Sequence, residues 1–324
     1  MNYLLNVDLL EFRSSTEINL NNYFSGGIYK ISKALFLERV KDYGYQKLTY
    51  SYCFKIHYED DEIGLLYTKS LDLSLEYGLN TFVRIDNKVF YIGKIGFILK
   101  TLLDELGLTK TKIKRLDICY DTDADVLTKF KKLYEDEPSI KFKLDNKINV
   151  TGTGKKNKTV HIGSISGKKC IAIYNKTLEI HTKSHKEYIR EIHGKIFGYK
   201  NIYRVELRIK ERTEEINDID IIKLDKSEYL ESIFNTYFFD LVQFYDINSK
   251  EMVEFIQFNN NSKRLDRTKR NKNKTGGKQE KAYINFMDKE IKTNEFKGNI
   301  KAWNQIRSIL IKKYGLETWY NVKK

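Results

Sequence analysis

A short run in the middle of the chain projects two carboxylates in the same direction. The run Arg-Leu-Asp-Ile-Cys-Tyr-Asp occupies residues 115–121, and its β-branched and aromatic residues favour a strand. Successive side chains of a strand point to opposite faces. One face therefore carries Arg115, Asp117, Cys119 and Asp121. Two carboxylates on one face suit a hard divalent cation such as Mg²⁺ or Mn²⁺.

A second strand-like run, Tyr-Arg-Val-Glu-Leu-Arg-Ile-Lys, combines one acid with several bases. The same period of two groups Arg204, Glu206, Arg208 and Lys210. If both runs lie in one sheet, Asp117 and Glu206 would share a divalent ion, since Mg²⁺ needs only one or two protein carboxylates beside a phosphate. The bases would hold phosphodiester oxygens. A solvent-exposed sheet face with cross-strand ion pairs would produce the same pattern.

A third run supplies a candidate nucleophile. In Ile-Ala-Ile-Tyr-Asn-Lys, Tyr174 and Lys176 share one face, opposite Ile171 and Ile173. A phenol with an ordinary pKa of about 10 is a poor nucleophile when neutral, so it needs a nearby cation or metal ion. Lys176 and a bound ion would supply that help. The chain has 23 tyrosines, and most of them must be packing residues, so the residue type alone does not single out Tyr174.

The segments that must position these residues alternate between two periodicities. Strand patterns with period two are found at 48–58, 81–86, 88–92, 113–121 and 202–210, and a hairpin is predicted from 159–164 and 169–176. Apolar residues at helical spacing mark 96–107, a helix beginning near 125, a charged segment at 179–196, and 229–242. These patterns predict an α+β fold with a largely antiparallel central sheet and flanking helices.

Charge separates the C-terminal part of the chain from the rest. The formal net charge is +14, and the segment 259–281 contains nine basic and only two acidic residues. We expect a catalytic α+β domain over 1–245 and a helical, basic DNA-binding region over 246–324, with Gly276-Gly277 indicating a linker or arm. A surface of this charge attracts polyanions. The residues predicted to contact DNA phosphates are Arg115, Arg204, Arg208, Lys269, Arg270, Lys272 and Lys274.

Other sequence features bear on the cellular compartment and on other metal sites. There is no apolar run of transmembrane length and no pattern of a signal peptide at the start, so we expect a cytoplasmic protein with no membrane partner. The three cysteines lie far apart without a C-x-x-C pair, which is typical of core residues in a reducing compartment. His181 and His185 have the spacing of a helical pair but lack an H-E-x-x-H motif, and no metal site is predicted there.

Taken in chain order, the three runs resemble the trans-acting initiators of rolling-circle plasmid replication, the replication initiation factor family. In that family a strand with R-x-D-x-x-x-D precedes a hairpin that ends in Y-x-K-x-x-E, and R-V-E follows on another strand. The matching residues here are Arg115, Asp117 and Asp121, then Gly163, Ser166, Tyr174, Lys176 and Glu179, then Arg204 and Glu206. The resemblance covers roughly residues 110 to 212.

The resemblance implies a metal-dependent nicking and closing enzyme. Tyr174, assisted by Lys176, would attack the scissile phosphate of one origin strand, remain attached to the 5′ end and leave a free 3′-OH as primer. The metal ligands, for Mg²⁺ or Mn²⁺, would come from Asp117, Asp121, Glu179 and Glu206, of which geometry favours Asp117 and Glu206. The implied partners are double-stranded origin DNA, single-stranded DNA after nicking, a second copy of the chain, and a host helicase.

The roles of two residues are not assigned by the sequence, and two other functions are also compatible with it. His161 lies on the first hairpin strand without the His-hydrophobic-His pair of another nickase superfamily, and Tyr188, in the charged segment, is a rival nucleophile. A non-catalytic origin-binding or partition protein would explain the charge and leave the aligned Asp, Tyr and Glu unexplained. A phage or mobilisation strand-transfer relaxase would share the nucleophile and use a different origin.

We predict that neutralising Lys269, Arg270, Lys272 and Lys274 together weakens duplex binding and flattens its salt dependence. Each phosphate that the protein no longer neutralises should remove ~0.9 from the slope of log affinity against log salt. Fluorescence anisotropy with labelled duplex at several salt concentrations measures both quantities. Unchanged affinity and slope would contradict the assignment, and a decrease confined to one DNA sequence would indicate base recognition instead.

Overall fold

The computed structural model describes residues 2–16, 18, 27–41, 50–70, 80–142, 148–151, 159–211, 213 and 216–258. Within these ranges the chain forms one large sheet, one small sheet and short helices. Among the described residues, no helix has both the length and the apolar character required to cross a bilayer.

The large sheet has eleven strands in the described part of the chain. They are β1 Tyr3–Ser14, β2 Ile28–Lys30, β3 Leu35–Val40, β4 Tyr50–Tyr58, β5 Asp61–Ser70, β6 Thr81–Asp86, β7 Lys112–Thr122, β9 Ile148–Thr151, β10 Thr159–Ile162, β11 Lys169–Asn175 and β12 Tyr203–Lys210. Their order is β2-β3-β4-β5-β6-β1-β7-β12-β11-β10-β9, and all of their pairings are antiparallel. The small sheet contains β8 Ile140–Phe142, β13 Phe244–Asp246 and β14 Met252–Val253, in the order β14-β13-β8.

The helices that the structure describes are α1 Lys88–Ile92, α2 Ile95–Glu105, α3 Val126–Lys131, α4 Lys176–Glu179, α5 Glu187–Phe197 and α6 Ser227–Phe238. Wider π-type turns extend α3 and α4 over 132–136 and 180–184, and short 3-10 turns occupy 216–218 and 221–223. Helix α6 begins after Lys226, and Phe234 and Phe238 on it are fully buried. Aromatic rings of α6, α3 and the small sheet meet in the core beneath the large sheet.

The two faces of the central strands differ because their sequences alternate. On one face Ile118, Val205, Leu207 and Ile171 are fully buried in the core. The other face carries the polar residues of the same strands. Strand β1 lies between β6 and β7, and its register against β7 shifts between Val7 and Leu9.

The fold class expected from the sequence is confirmed: the chain is α+β, with a large antiparallel sheet and flanking helices. The predicted hairpin is β10 and β11. One local prediction is wrong, since residues 88–92 form helix α1 and not a strand. Five residues are too few to distinguish period two from one helical turn that buries Val89 and Phe90. Gly93, in the left-handed region with φ 77°, ends that helix.

The C-terminal predictions fall only partly on residues that the structure describes. The boundary expected between residues 245 and 246 falls inside β13, whose last residue pairs with β8. Phe255 and Ile256, further along, are buried in the core. The basic arm and the helical tail that follows it lie outside the described residues.

Candidate active site

Register places the three runs side by side in the order β7, β12, β11. Arg208 of β12 lies opposite Asp117 of β7, and Arg204 lies opposite both Asp121 and Tyr174. Residues that are paired across strands point to the same face of a sheet. The polar stripes of all three runs therefore form one surface, and the apolar residues between them face the core.

Tyr174 is in direct contact with Glu206. The phenol Oη donates a hydrogen bond to Glu206 Oε2 at 2.9 Å. Burial, and next the negative charge of Glu206, raise the pKa of Tyr174 well above its ordinary value. The tyrosine is therefore a neutral phenol whose proton already points at a carboxylate.

Arg208 joins the two carboxylates that were proposed as metal ligands. Its Nε donates to Asp117 Oδ2 at 3.2 Å, and its Nη2 donates to Glu206 Oε1 at 3.2 Å. Arg115 Nε also donates to both oxygens of Asp117, at 2.9 and 3.1 Å. The predicted residues Asp117, Glu206 and Tyr174 thus lie together, with Arg115 and Arg208 partly exposed beside them.

Asp8 of β1 is a member of this cluster that the sequence patterns did not reveal. Burial, followed by the charges of Asp8 and Asp117, raises the pKa of Glu206. Burial acts in the same direction on Asp8, but Arg204 and then Lys176 outweigh it and hold the pKa of Asp8 below its ordinary value. The available signal was the pair Asn6 and Asp8, which lie two residues apart among the apolar residues at the start of the N-terminal strand.

The prediction that Arg204 contacts a DNA phosphate is wrong. The side chain is fully buried, and its Nε and Nη2 donate to Asp121 Oδ1 and Oδ2 at 2.6 and 2.7 Å. Its Nη1 donates to Asp8 Oδ1 at 2.6 Å, and Nη2 also reaches the hydroxyl of Tyr91 at 3.2 Å. Period two gives the face of a strand but not the depth of burial, so the sequence could not distinguish this residue from Arg208.

Asp121 is fully buried and both of its oxygens are occupied. Besides the two bonds from Arg204, its Oδ2 lies 2.9 Å from Nε2 of His193 on α5. Although burial opposes ionisation, the charge and hydrogen bonds of Arg204 and His193 hold the pKa of Asp121 well below its ordinary value. The carboxylate that was included among possible metal ligands therefore anchors an arginine and a helix.

Lys176 and Glu179, the first and last residues of α4, pair with each other. Lys176 Nζ, in a buried side chain, donates to Glu179 Oε2 at 2.6 Å. The same ammonium lies 5.9 Å from the ring centroid of Tyr174. Lys176 is thus close to the candidate nucleophile, as expected. Glu179 is held on the helix by Lys176 and by Ser184 Oγ at 3.2 Å.

The two residues left open by the sequence have other partners. Nε2 of His161 lies 3.1 Å from the Thr151 hydroxyl on β9. The Tyr188 hydroxyl donates to Asn87 Oδ1 at 2.6 Å, and the Asn87 amide donates in turn to Asp8 Oδ1 at 3.0 Å. Tyr188 is therefore linked to the cluster through one side chain, while Tyr174 contacts it directly. The candidates Lys269, Arg270, Lys272 and Lys274 lie outside the described residues.

Comparisons with known proteins include one similar solved structure. No protein-family model matches the chain, and no curated protein matches it. The chain is similar to the solved "Rolling Circle Replication Initiator Protein from Geobacillus stearothermophilus", with 11% identity, a TM-score of 0.46, and coverage of 78% of this chain and 94% of that chain.

The carboxylates of the site have the chemistry that a hard divalent ion requires. Among the described residues no group of three or more His, Cys, Asp or Glu is arranged to hold a metal. The pair Asp117 and Glu206, joined by Arg208, offers only hard oxygen donors, and burial together with neighbouring negative charge raises the pKa of Glu206. One or two carboxylates completed by water and phosphate oxygens are what Mg²⁺ and Mn²⁺ accept. The donor chemistry of the pair is therefore of the kind that such an ion accepts.

We predict that Asp121→Asn lowers the free energy of unfolding at pH 7 by about 3–5 kcal/mol, because it leaves the buried Arg204 without its main counter-charge. The folded-state pKa of Asp121 is depressed, so its contribution is complete above its ordinary pKa and is lost as pH falls below about 4. The difference between the two proteins should therefore narrow on acidification.

Urea unfolding at pH 7 and at lower pH measures this difference. Asp104→Asn is the matched control, because Asp104 forms an exposed i,i+4 pair with Lys100 and should change stability by no more than about 1 kcal/mol. Equal stabilities of the Asp121 and Asp104 variants would contradict the anchoring role of Asp121.

Proposed function

We propose that this chain cuts one strand of DNA by transesterification through Tyr174, as an initiator of rolling-circle replication. The observation that carries the proposal is the 2.9 Å hydrogen bond from the Tyr174 phenol to Glu206 Oε2. It joins a nucleophile to a base on a face that also holds Asp117, Arg115 and Arg208. The order of motifs in the sequence supports the same reaction class.

In the proposed reaction, Glu206 accepts the phenol proton as the Tyr174 oxygen attacks the phosphorus. A bond forms between Oη and phosphorus, and the bond between phosphorus and the 3′ oxygen breaks. The 3′ oxygen leaves, takes up a proton and becomes the free 3′-OH primer. The product is a phosphotyrosine on the 5′ end, which conserves the phosphodiester bond for later rejoining.

Two groups of the site favour this proton transfer, although burial opposes it by raising the pKa of Tyr174. Burial and the neighbouring carboxylates raise the pKa of Glu206, which makes this carboxylate a stronger base than an ordinary one. Lys176, 5.9 Å from the Tyr174 ring, favours the negative charge that develops on the phenol. Arg115 and Arg208 are partly exposed and would contact phosphate oxygens.

We include a divalent ion, Mg²⁺ or Mn²⁺, in the proposal. Asp117 and Glu206 would hold it, and it would polarise the scissile phosphate as a Lewis acid. Glu206 would use Oε2, which accepts the hydrogen bond from Tyr174, as the base, and Oε1, which accepts a hydrogen bond from Arg208, as the metal ligand.

The proposed partners follow from the reaction. The substrate is a double-stranded origin, and the product before rejoining includes single-stranded DNA. A second copy of the chain would bring a second tyrosine to end the cycle, and a host helicase would separate the strands. We assign duplex binding to the basic arm at 259–281 and the chemistry to the domain that carries Tyr174.

Tyr174→Phe should abolish nicking while leaving folding and DNA binding nearly intact, because it removes one oxygen and keeps the ring. The assay is the conversion of supercoiled DNA that carries the sequence surrounding the coding region into open circles. Tyr188→Phe is the matched control and should nick normally, because its hydroxyl bonds Asn87 and not a carboxylate of the site. A Tyr174→Phe protein that nicks at the wild-type rate would refute the mechanism.

Glu206→Gln should lose Mg²⁺- or Mn²⁺-dependent nicking by at least 100-fold, on the order of what a positioned base contributes, and should retain DNA affinity because the basic surface is unchanged. Glu211→Gln is the control, since Glu211 follows the same strand and pairs with Lys114 at the surface. If both variants nick equally, Glu206 is structural. If neither variant nor the wild type nicks but all bind DNA, the chain is an origin-binding or partition protein.

A further inference from the structure

A groove of about 1060 Å³ lies on the apolar side of the sheet, near the end of β11. Asn175 immediately follows Tyr174 and, by strand alternation, points to the opposite face, where it pairs with Tyr203. The groove therefore begins one residue further along the chain than the candidate nucleophile, on the other face of the sheet. The lining residues that matter here are Phe130, Tyr134, Val150, Asn175, Asn201 and Tyr203.

The groove presents an aromatic ring that is both exposed and firmly held. Tyr134 is 45% exposed, while its ring stacks on Phe130 at 5.7 Å between centroids and 19° between planes. Phe142 contacts it edge-on at 5.8 Å. Val150, on the facing strand β9, is 55% exposed. A fixed and exposed ring of this kind is a platform on which a flat ligand can stack.

A smaller basic pocket of about 100 Å³ adjoins the groove, since both are lined by Thr177 and His181. It also contains Arg190 and Lys200. These cations pair with Glu187 at 3.1 Å and with Asp123 at 2.8 Å, but both are at least half exposed. Exposed pairs of this kind are weak and are readily exchanged for phosphate oxygens.

We propose that the groove and the basic pocket together bind single-stranded DNA, with bases stacked on Tyr134 and the backbone held by Arg190 and Lys200. The volume of about 1060 Å³ is at the upper end of the roughly 300–1,000 Å³ of small-molecule sites, which leaves room for more than one nucleotide. An aromatic wall beside cations is the combination that binds unpaired strands, whose base faces are free to stack. The inference rests on the proposed function for the identity of that strand, which would be the one cut at Tyr174.

The test measures the affinity of the full chain for fluorescent oligothymidylate, with Tyr174→Phe in the background so that no strand is cut. Tyr134→Ala should weaken binding about tenfold, within the range expected for the loss of one base stack. Tyr134→Phe keeps the ring and should bind like the parent. Phe97→Ala is the matched control, because Phe97 on α2 is 64% exposed and does not line the groove.

The basic pocket is tested through the salt dependence of the same binding. Replacing Arg190 and Lys200 together by Gln should reduce the log–log slope by about 0.7 for each phosphate of the single strand that the protein no longer neutralises. Lys100→Gln is the control, since Lys100 is exposed on α2 with its own acidic partner. All variants keep the basic arm, so its contribution to affinity cancels in the comparison.

Photo-cross-linking locates the strand directly. An oligothymidylate that contains 5-iodouracil should cross-link to the peptide that carries Tyr134. Unchanged affinity of Tyr134→Ala, with cross-links only outside the groove, would overturn the inference and leave the groove to a protein partner. The binding assay needs no cleavage, so it is independent of the nicking assay. If the wild-type chain does not nick DNA but the groove binds oligothymidylate, this inference is supported and the proposed function is refuted.

Discussion

The arrangement of the site depends on a fully buried arginine. Arg204 of β12 bonds Asp121 of β7 through two nitrogens and Asp8 of β1 through a third. Removing a guanidinium from water costs several kcal/mol unless carboxylates in good geometry compensate it. Here the two acids lie on neighbouring strands, so the electrostatic requirement of one side chain constrains three strands at once. His193 extends the constraint to α5 through Asp121.

This buried network also determines which acids are left for chemistry. Asp121 is occupied by Arg204 and His193, whereas Asp117 and Glu206, nearer the other end of β7 and β12, are joined by the more exposed Arg208. Tyr174 lies opposite Arg204 in register and reaches Glu206 with its hydroxyl. Burial raises the pKa values of Tyr174 and Glu206, and the positive charge of Arg204 opposes both changes. The arginine thus moderates the cost of placing these groups in the interior.

Much of this surface follows from the sequence because strand alternation is a strict rule. Period two correctly places Asp117, Glu206 and Tyr174 on polar faces, and the register then brings the faces together. The depth of burial does not follow from strand alternation. Arg204 and Arg208 lie on the same face of β12, but only Arg204 is fully buried. Asp8 and the Tyr134 groove depend on contacts between segments distant in sequence. Helix α1 shows that a five-residue segment with four apolar residues does not determine its own conformation.

The central claim is that Tyr174 forms a covalent bond with DNA, and mapping that bond tests it most directly. The wild-type chain would be incubated with Mg²⁺ or Mn²⁺ and single-stranded DNA from the sequence surrounding its coding region, labelled on the 3′ side of the cut, then denatured and digested. The account predicts a denaturation-resistant adduct in which the 5′ phosphate is attached to the peptide that contains Tyr174. An adduct on Tyr188, or cleavage that leaves no protein attached to the 5′ end, would contradict it.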